Sequence, residues 1–270
     1  MTWNDIEKAF LKAWSAVFSK QKLLVSFAAL SFCGVLLVLC RALAVQANSW
    51  TSLSLLFLPI LLSAGFLLSL GVFLIRLYAR ERKGLIAKAG SFLAGSAEIA
   101  METSYLSVAP VLAYIFLWIV LGLFFLLKEI PLIGPFFNVV LAFGPFLLIV
   151  CSLLLCLLSI SLLFFAAPTA ALRAAKRIQL AQQIWHIVRE RPTAAMALFL
   201  VGLTPGLAMG GLLTLAAVIT NTTFSLREPS ILLALEWFFV LFPFSALLSP
   251  AIVFFFNFAA ESHYLLTRKS

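Results

Sequence analysis

Six apolar runs, each long enough to cross a bilayer, dominate this 270-residue sequence. They fall at 23–45, 53–77, 106–127, 139–166, 194–219 and 231–258. A helix needs roughly 20 apolar residues to cross the hydrocarbon layer, and the longer runs must tilt or project beyond it. Each run is therefore read as a transmembrane helix. Composition agrees: 64% of the residues are hydrophobic and 11% charged, with a mean hydropathy of +1.14. A soluble domain of this length has a larger polar surface to cover.

The net charge of +9 does not point to nucleic acid, because the basic residues sit in short segments between apolar runs. Lys8, Lys12, Lys20 and Lys22 precede the first run; Arg76, Arg80, Arg82, Lys83 and Lys88 follow the second. Arg173, Lys176, Arg177, Arg189 and Arg191 follow the fourth, and Arg268 and Lys269 the sixth. Sixteen of the nineteen Lys and Arg thus share one side, with Arg41, Lys128 and Arg227 opposite. The positive-inside rule makes the shared side cytoplasmic, so both termini are expected there, in a multi-pass protein of a cytoplasmic (inner) membrane. The first run resembles a signal peptide in its basic flank and in Ala42-Leu43-Ala44, but Leu23–Cys40 exceeds a usual signal core and is read as a retained span. Cys33, Cys40, Cys151 and Cys156 lie inside apolar runs without a C-x-x-C pair and read as small apolar filler.

Three segments on the basic side are amphipathic. Trp3, Ile6, Phe10, Trp14 and Val17 recur at three- and four-residue steps, with Lys8 and Lys12 elsewhere, and Thr2 and Asp5 are spaced as a capping box. Leu85, Ala89, Phe92, Ser96, Ile99 and Thr103 form a second stripe; Leu172, Ala175, Ile178, Trp185 and Val188 form a third. Each precedes two spans. The expected fold is all-α, a single membrane domain of six transmembrane helices. It is built as three repeats of interfacial amphipathic helix plus two-span hairpin, at about 1–84, 85–172 and 173–270. Phe165-Ala166-Ala167 and Phe258-Ala259-Ala260 lie 93 residues apart, an interval kept by Lys83, Lys176 and Lys269. Three units in one orientation differ from the inverted repeats of many secondary transporters.

This pattern, with segments such as Ile6-Glu7-Lys8-Ala9-Phe10, resembles a broad group of poorly characterised six-span bacterial membrane proteins. The group includes the membrane domain fused to some glycerophosphodiester phosphodiesterases. The likeness covers nearly the whole chain and lies in the pattern, not in a signature motif. The phosphodiesterase catalytic part has no counterpart here, so the resemblance implies neither an activity nor a site residue.

Chemistry-bearing residues are few. Asp5 is the one aspartate, whereas intramembrane aspartyl proteolysis needs two and carboxylate–metal phosphotransfer several. No phosphate-binding G-x-x-x-x-G-K-[ST] loop occurs. Both histidines, His186 and His263, fall on the basic side, leaving no intramembrane base for a serine nucleophile. No catalytic residue, cofactor or metal site is assigned.

Arg76, with Trp3, Phe10 and Trp14, is placed at the membrane interface, where an arginine snorkels to phosphates. Glu236, beside Trp237 at the outer end of the sixth run, is expected to pair with a cation such as Arg41. Glu98, Glu102, Glu261 and His263 form a polar group on the basic side, read as a solvated rim unless they converge. Gly202, Gly206 and Gly210 make two G-x-x-x-G steps in the fifth run and are expected to admit another helix closely. Prolines at 59, 110, 145, 205, 243 and 250 place a potential kink in every run but the first. The apolar loop Lys128–Phe137 is expected to dip into the outer interface or cover the bundle.

Scarcity of catalytic groups and abundance of interfacial surface point to a non-enzymatic helper, scaffold or lipid-interacting component. Membrane lipids are the expected partners, and a protein partner within the membrane is compatible. A transporter or permease subunit for a lipid-like or apolar solute would require a central cavity. A lipid-modifying enzyme would require the four polar residues to meet. On topology, reporter fusions after residues 48, 134 and 226 should read external and those after 84, 182 and 270 cytoplasmic; reversal at any two sites refutes six spans.

Overall fold

Helix is the only regular structure among the described residues of the computed structural model, which are 3–45, 49–84, 89–128, 139, 143–172, 177–220 and 231–267. Along the chain they are α1 (Trp3–Ser15), α2 (Lys20–Val45), α3 (Ser49–Arg82) and α4 (Ala89–Lys128), then α5 (Gly144–Leu172), α6 (Arg177–Glu190), α7 (Pro192–Ile219) and α8 (Ile231–Thr267). Five helices, α2, α3, α5, α7 and α8, are long and apolar enough to cross a membrane, and α4 contains a shorter apolar stretch, Tyr105–Val120. At 1.5 Å per residue, the 37 residues of α8 reach about 55 Å, well beyond the roughly 30 Å hydrocarbon layer.

The helix breaks follow local chemistry. Pro192 opens α7 at its first position, where its missing amide costs nothing. Gly84, at φ +67°, ends α3, with its amide donating to Glu81 O at 3.0 Å; only glycine takes that backbone conformation cheaply. No glycine or proline separates Thr103 from Val108, so the segment expected as a separate second interfacial helix runs without a break into α4. Proline 145 begins α5 instead of kinking it, and Pro168 lies inside that helix in its place.

Three helices, α3, α5 and α8, touch one another and form an inner trio. Each is the second member of a successive pair, and the first members lie outside. Helix α2 packs on α3 and α8, α4 on α3 and α5, and α7 on α8, where Gly202 also meets Phe164 of α5. Helix α1 lies on α8, and α6 contacts α5 and α7. The end of the bundle that carries Lys22, Arg76 to Lys83 and α1 is called the basic end below.

Residues 253–263 of α8 are buried without interruption, as expected only of a helix enclosed on every side. Phe164 and Phe165 of α5, Phe199 of α7, and Phe254, Phe255 and Phe258 of α8 pack around it, with Phe164 5.6 Å from Phe199 and 5.5 Å from Phe255. These tilted and edge-on arrangements suit aromatic quadrupoles. Elsewhere large apolar side chains such as Leu200, Leu207 and Leu215 of α7 point outward, a surface suited to lipid.

The glycine expectation is corrected. A methyl at Gly202 would lie 2.8 Å from the Phe164 ring and 3.1 Å from Phe258, whereas among the described residues nothing stands within 4 Å of such an atom at Gly206 or Gly210. Of the three glycines, Gly202 alone packs against described residues. The tight approaches are at isolated glycines: Gly71 against Phe256, Gly34 against Leu241 and Gly65 against Ser107. Gly71→Ala should therefore lower stability by about 1–3 kcal/mol through overpacking, while Gly206→Leu stays within about 0.5 kcal/mol of the parent. Thermal melting in detergent ranks the two; an unchanged Gly71→Ala protein would refute the α3–α8 contact.

Candidate functional site

The last two turns of α3 carry different chemistry on opposite faces. Tyr78, Glu81 and Arg82 turn one way, and Arg76, Ala79, Arg80 and Lys83 the other, because positions i, i+3, i+4 and i+7 share a helical stripe.

The first face holds a polar clamp. Lys22 of α2, fully buried, pairs with the Glu81 carboxylate and also donates to Ala16 O at 3.2 Å. Its ammonium lies 5.0 Å from the centre of the Tyr78 ring, within range of a cation–π attraction. Ser19 donates to the other Glu81 oxygen at 3.3 Å. Tyr78 donates its hydroxyl to Glu261 of α8 at 2.7 Å, and Arg82 Nη1 lies 2.8 Å from the same Oε1. The Arg82 guanidinium also covers the Tyr264 ring at 5.2 Å.

Asn257 completes the clamp. Its Nδ2 donates to Ala13 O at 3.4 Å and Ala16 O at 3.3 Å, occupying carbonyls that the end of α1 leaves without helical partners. Phe10 packs 4.8 Å from Phe254, and Ala9, Ala13 and Val17 are buried beside it. Three of the five residues of the expected α1 stripe, Ile6, Phe10 and Val17, therefore serve the protein's own core. Trp3 remains 72% exposed and Trp14 46%, together with Leu11 and Phe18.

On the second face, α3, α5 and α8 part at their basic ends and leave a cleft of about 390 Å³. Arg76, Arg80 and Lys83 line it from α3, His263, Tyr264 and Thr267 from α8, and Ala171 with Leu172 close it from α5. No carboxylate stands among the described residues of this lining. Beneath His263, a crevice bounded by Phe165, Pro168 and Leu266 has only about 10 Å³ of free space, room for no more than one water. The arrangement can bind an anion with cationic and hydroxyl donors.

The polar group expected on this side separates in role. Glu261 is a clamp residue, whereas His263 lines the cleft; the side chains of Glu98 and Glu102 lie outside the described residues. Arg76 lines the cleft, and Arg80 and Lys83 of the same helix line it with Arg76. The i, i+4, i+7 spacing on α3 was the available signal. Asn257, Lys22 and Tyr78 had none, since single polar residues near apolar runs do not reveal their partners. The Glu236–Arg41 pairing is corrected: Glu236 is exposed and no such ion pair occurs among the described residues, while its other expected partners, the Lys128 side chain and Arg227, lie outside them. Its neighbour Trp237 takes the buried side of α8, which turns Glu236 outward. The loop 129–137, Arg227, Arg173, Lys176 and Lys269 lie outside the described residues.

Compared with known proteins, the chain matches no family model, no curated protein and no solved structure.

Asn257→Leu tests the clamp. Removing both donations to α1 should cost about 1–3 kcal/mol and expose residues 3–19 to protease in detergent before the bundle melts. Protection equal to the parent's would mean that Phe10 and its apolar neighbours alone hold α1.

Proposed function

We propose that this chain is a non-enzymatic six-span protein of a cytoplasmic (inner) membrane. On this reading its termini and basic end face the cytoplasm, and it works as a scaffold or lipid-interacting component. The observation that carries the reading is the seating of α1. That helix is fastened to α8 along Ala9, Phe10, Ala13 and Val17, yet presents Trp3, Leu11, Trp14 and Phe18 outward, with Lys8 and Lys12 also exposed. Exposed indoles beside ammonium groups suit the headgroup layer.

Two further observations support it. A three-unit reading gains support from the contacts: α2 packs on α3 and α8, α4 packs on α5 and α3, and α7 packs on α8 and meets α5 at Gly202. The phenylalanine-filled interior around residues 253–263 weighs against a solute path through the basic end. Glu261, committed to Tyr78 and Arg82, is ill placed to act as a general base.

Variants retaining only Trp3 or only Trp14 of the six tryptophans decide whether α1 meets lipid. In liposomes, bilayer-embedded quenchers should reduce the emission of both, Trp3 more than Trp14, and aqueous iodide should reach neither. Iodide access to both indoles would defeat the lipid-contact reading.

A further inference from the structure

We propose that the cleft at the basic end of α3, α5 and α8 is a binding site for a phosphate-bearing headgroup. The assignment rests on the lipid-contact reading and narrows it to one site and one chemistry.

Three observations point to phosphate. Arg76, Arg80 and Lys83 form one stripe rising about 10 Å along α3, comparable to the thickness of one headgroup layer. His263, Tyr264 and Thr267 face them across the cleft and add polar groups from a second helix. The carboxylates nearest in sequence, Glu81 and Glu261, are drawn to the other face by Lys22, Tyr78 and Arg82, and no carboxylate stands among the described lining residues. Planar guanidinium groups pair two-pronged with phosphate oxygens, which lysine alone does not do.

Dispersed positive charge on this side would satisfy topology without concavity. Here the cations border a 390 Å³ recess at the meeting point of the three inner helices. The recess also limits what enters. Its apolar wall is short, and the crevice beneath holds only about 10 Å³, too little for an acyl chain. The site accepts a headgroup and leaves any tails outside. Free phosphate and a lipid phosphomonoester share this chemistry and differ in how they reach it.

The test uses the full chain in neutral detergent and follows its melting temperature. Titrants are phosphatidic acid, phosphatidylglycerol and phosphatidylcholine as mixed micelles, and inorganic phosphate against chloride at equal ionic strength. Phosphatidic acid should stabilise the parent most. Arg76→Gln/Arg80→Gln/Lys83→Gln should weaken the apparent affinity at least about tenfold, as expected when several charge-assisted contacts are lost. Arg76→Lys/Arg80→Lys, which keeps the charge and tolerates a poorly folding Gln variant, should retain part of the response. Arg189→Gln/Arg191→Gln, at the α6–α7 junction away from the cleft lining and from α1, should retain all of it.

A lipid response in the Gln variant equal to the parent's overturns the assignment. So does an equal loss in the Arg189→Gln/Arg191→Gln variant, which would mark a diffuse surface effect. If phosphate alone gives the full shift and lipid adds nothing, the site holds with a soluble ligand. If no titrant shifts the parent while tryptophan quenching still places α1 in lipid, the cleft assignment falls and the broader reading stands.

Discussion

Everything at the basic end depends on how closely α3 and α5 approach α8. Lipid tails are as apolar as leucine, so spanning helices gain little from hiding apolar surface from one another. Dispersion contacts and interhelical hydrogen bonds must hold them instead. Gly71 lets the Phe256 ring lie against the α3 backbone, and Gly202 admits Phe164 and Phe258. Ala166, Ala167, Ala259 and Ala260 are all buried where α5 and α8 meet. Small residues set the distance, and phenylalanine rings fill what remains.

That packing allows polar groups to be buried at the same level. A carboxylate such as Glu261 is costly inside a protein unless its partners are held in place. Tyr78 and Arg82 are held by α3, whose position the Gly71 contact fixes. Asn257 can likewise reserve its amide for the end of α1 because Phe254 and Phe258, on neighbouring turns, press against Phe10. The clamp then sorts charge: carboxylates of α3 and α8 turn toward Lys22 and Arg82, and the opposite face of α3 meets the cleft with cations. One rigid contact thus underlies both the seating of α1 and the sign of the cleft.

Much of this was legible in the sequence, for reasons that differ by element. Long apolar runs translate directly into helices because nothing competes with that outcome over 20 or more residues, and α2, α3, α5, α7 and α8 appear where expected. The α1 helix was legible from its periodicity, but its docking was not. A stripe such as Ile6, Phe10 and Val17 suits lipid and protein equally, and Asn257 lies 241 residues from Ala16. The G-x-x-x-G steps misled because they report only that a helix could approach. Among the described residues none does at Gly206 or Gly210, and a lone Gly71 without a motif carries the central contact. Arg76, Arg80 and Lys83 were visible as charges; their common stripe becomes a cleft only when His263 and Thr267 arrive from the last helix.

On the three-unit reading, the cleft is where the repeat has become specialised. The 93-residue interval relates Arg76 of α3 to Thr169 of α5 and Ser262 of α8. Thr169 and Ser262 are small and buried, and Thr169 donates to Phe165 O within its own helix at 2.7 Å. At the level of Arg80 the same interval reaches Arg173 and then Leu266, and at Lys83 it reaches Lys176 and Lys269, so the departure from the repeat is complete only at the Arg76 level. A strict repeat there would place three arginines around one axis, and their mutual repulsion at low dielectric would oppose the packing below. Keeping the single cation of that level on α3, with Thr169 and Ser262 in the other two units, avoids that repulsion. It also leaves space opposite the charges, which an anion needs if it is to enter between three closely packed helices.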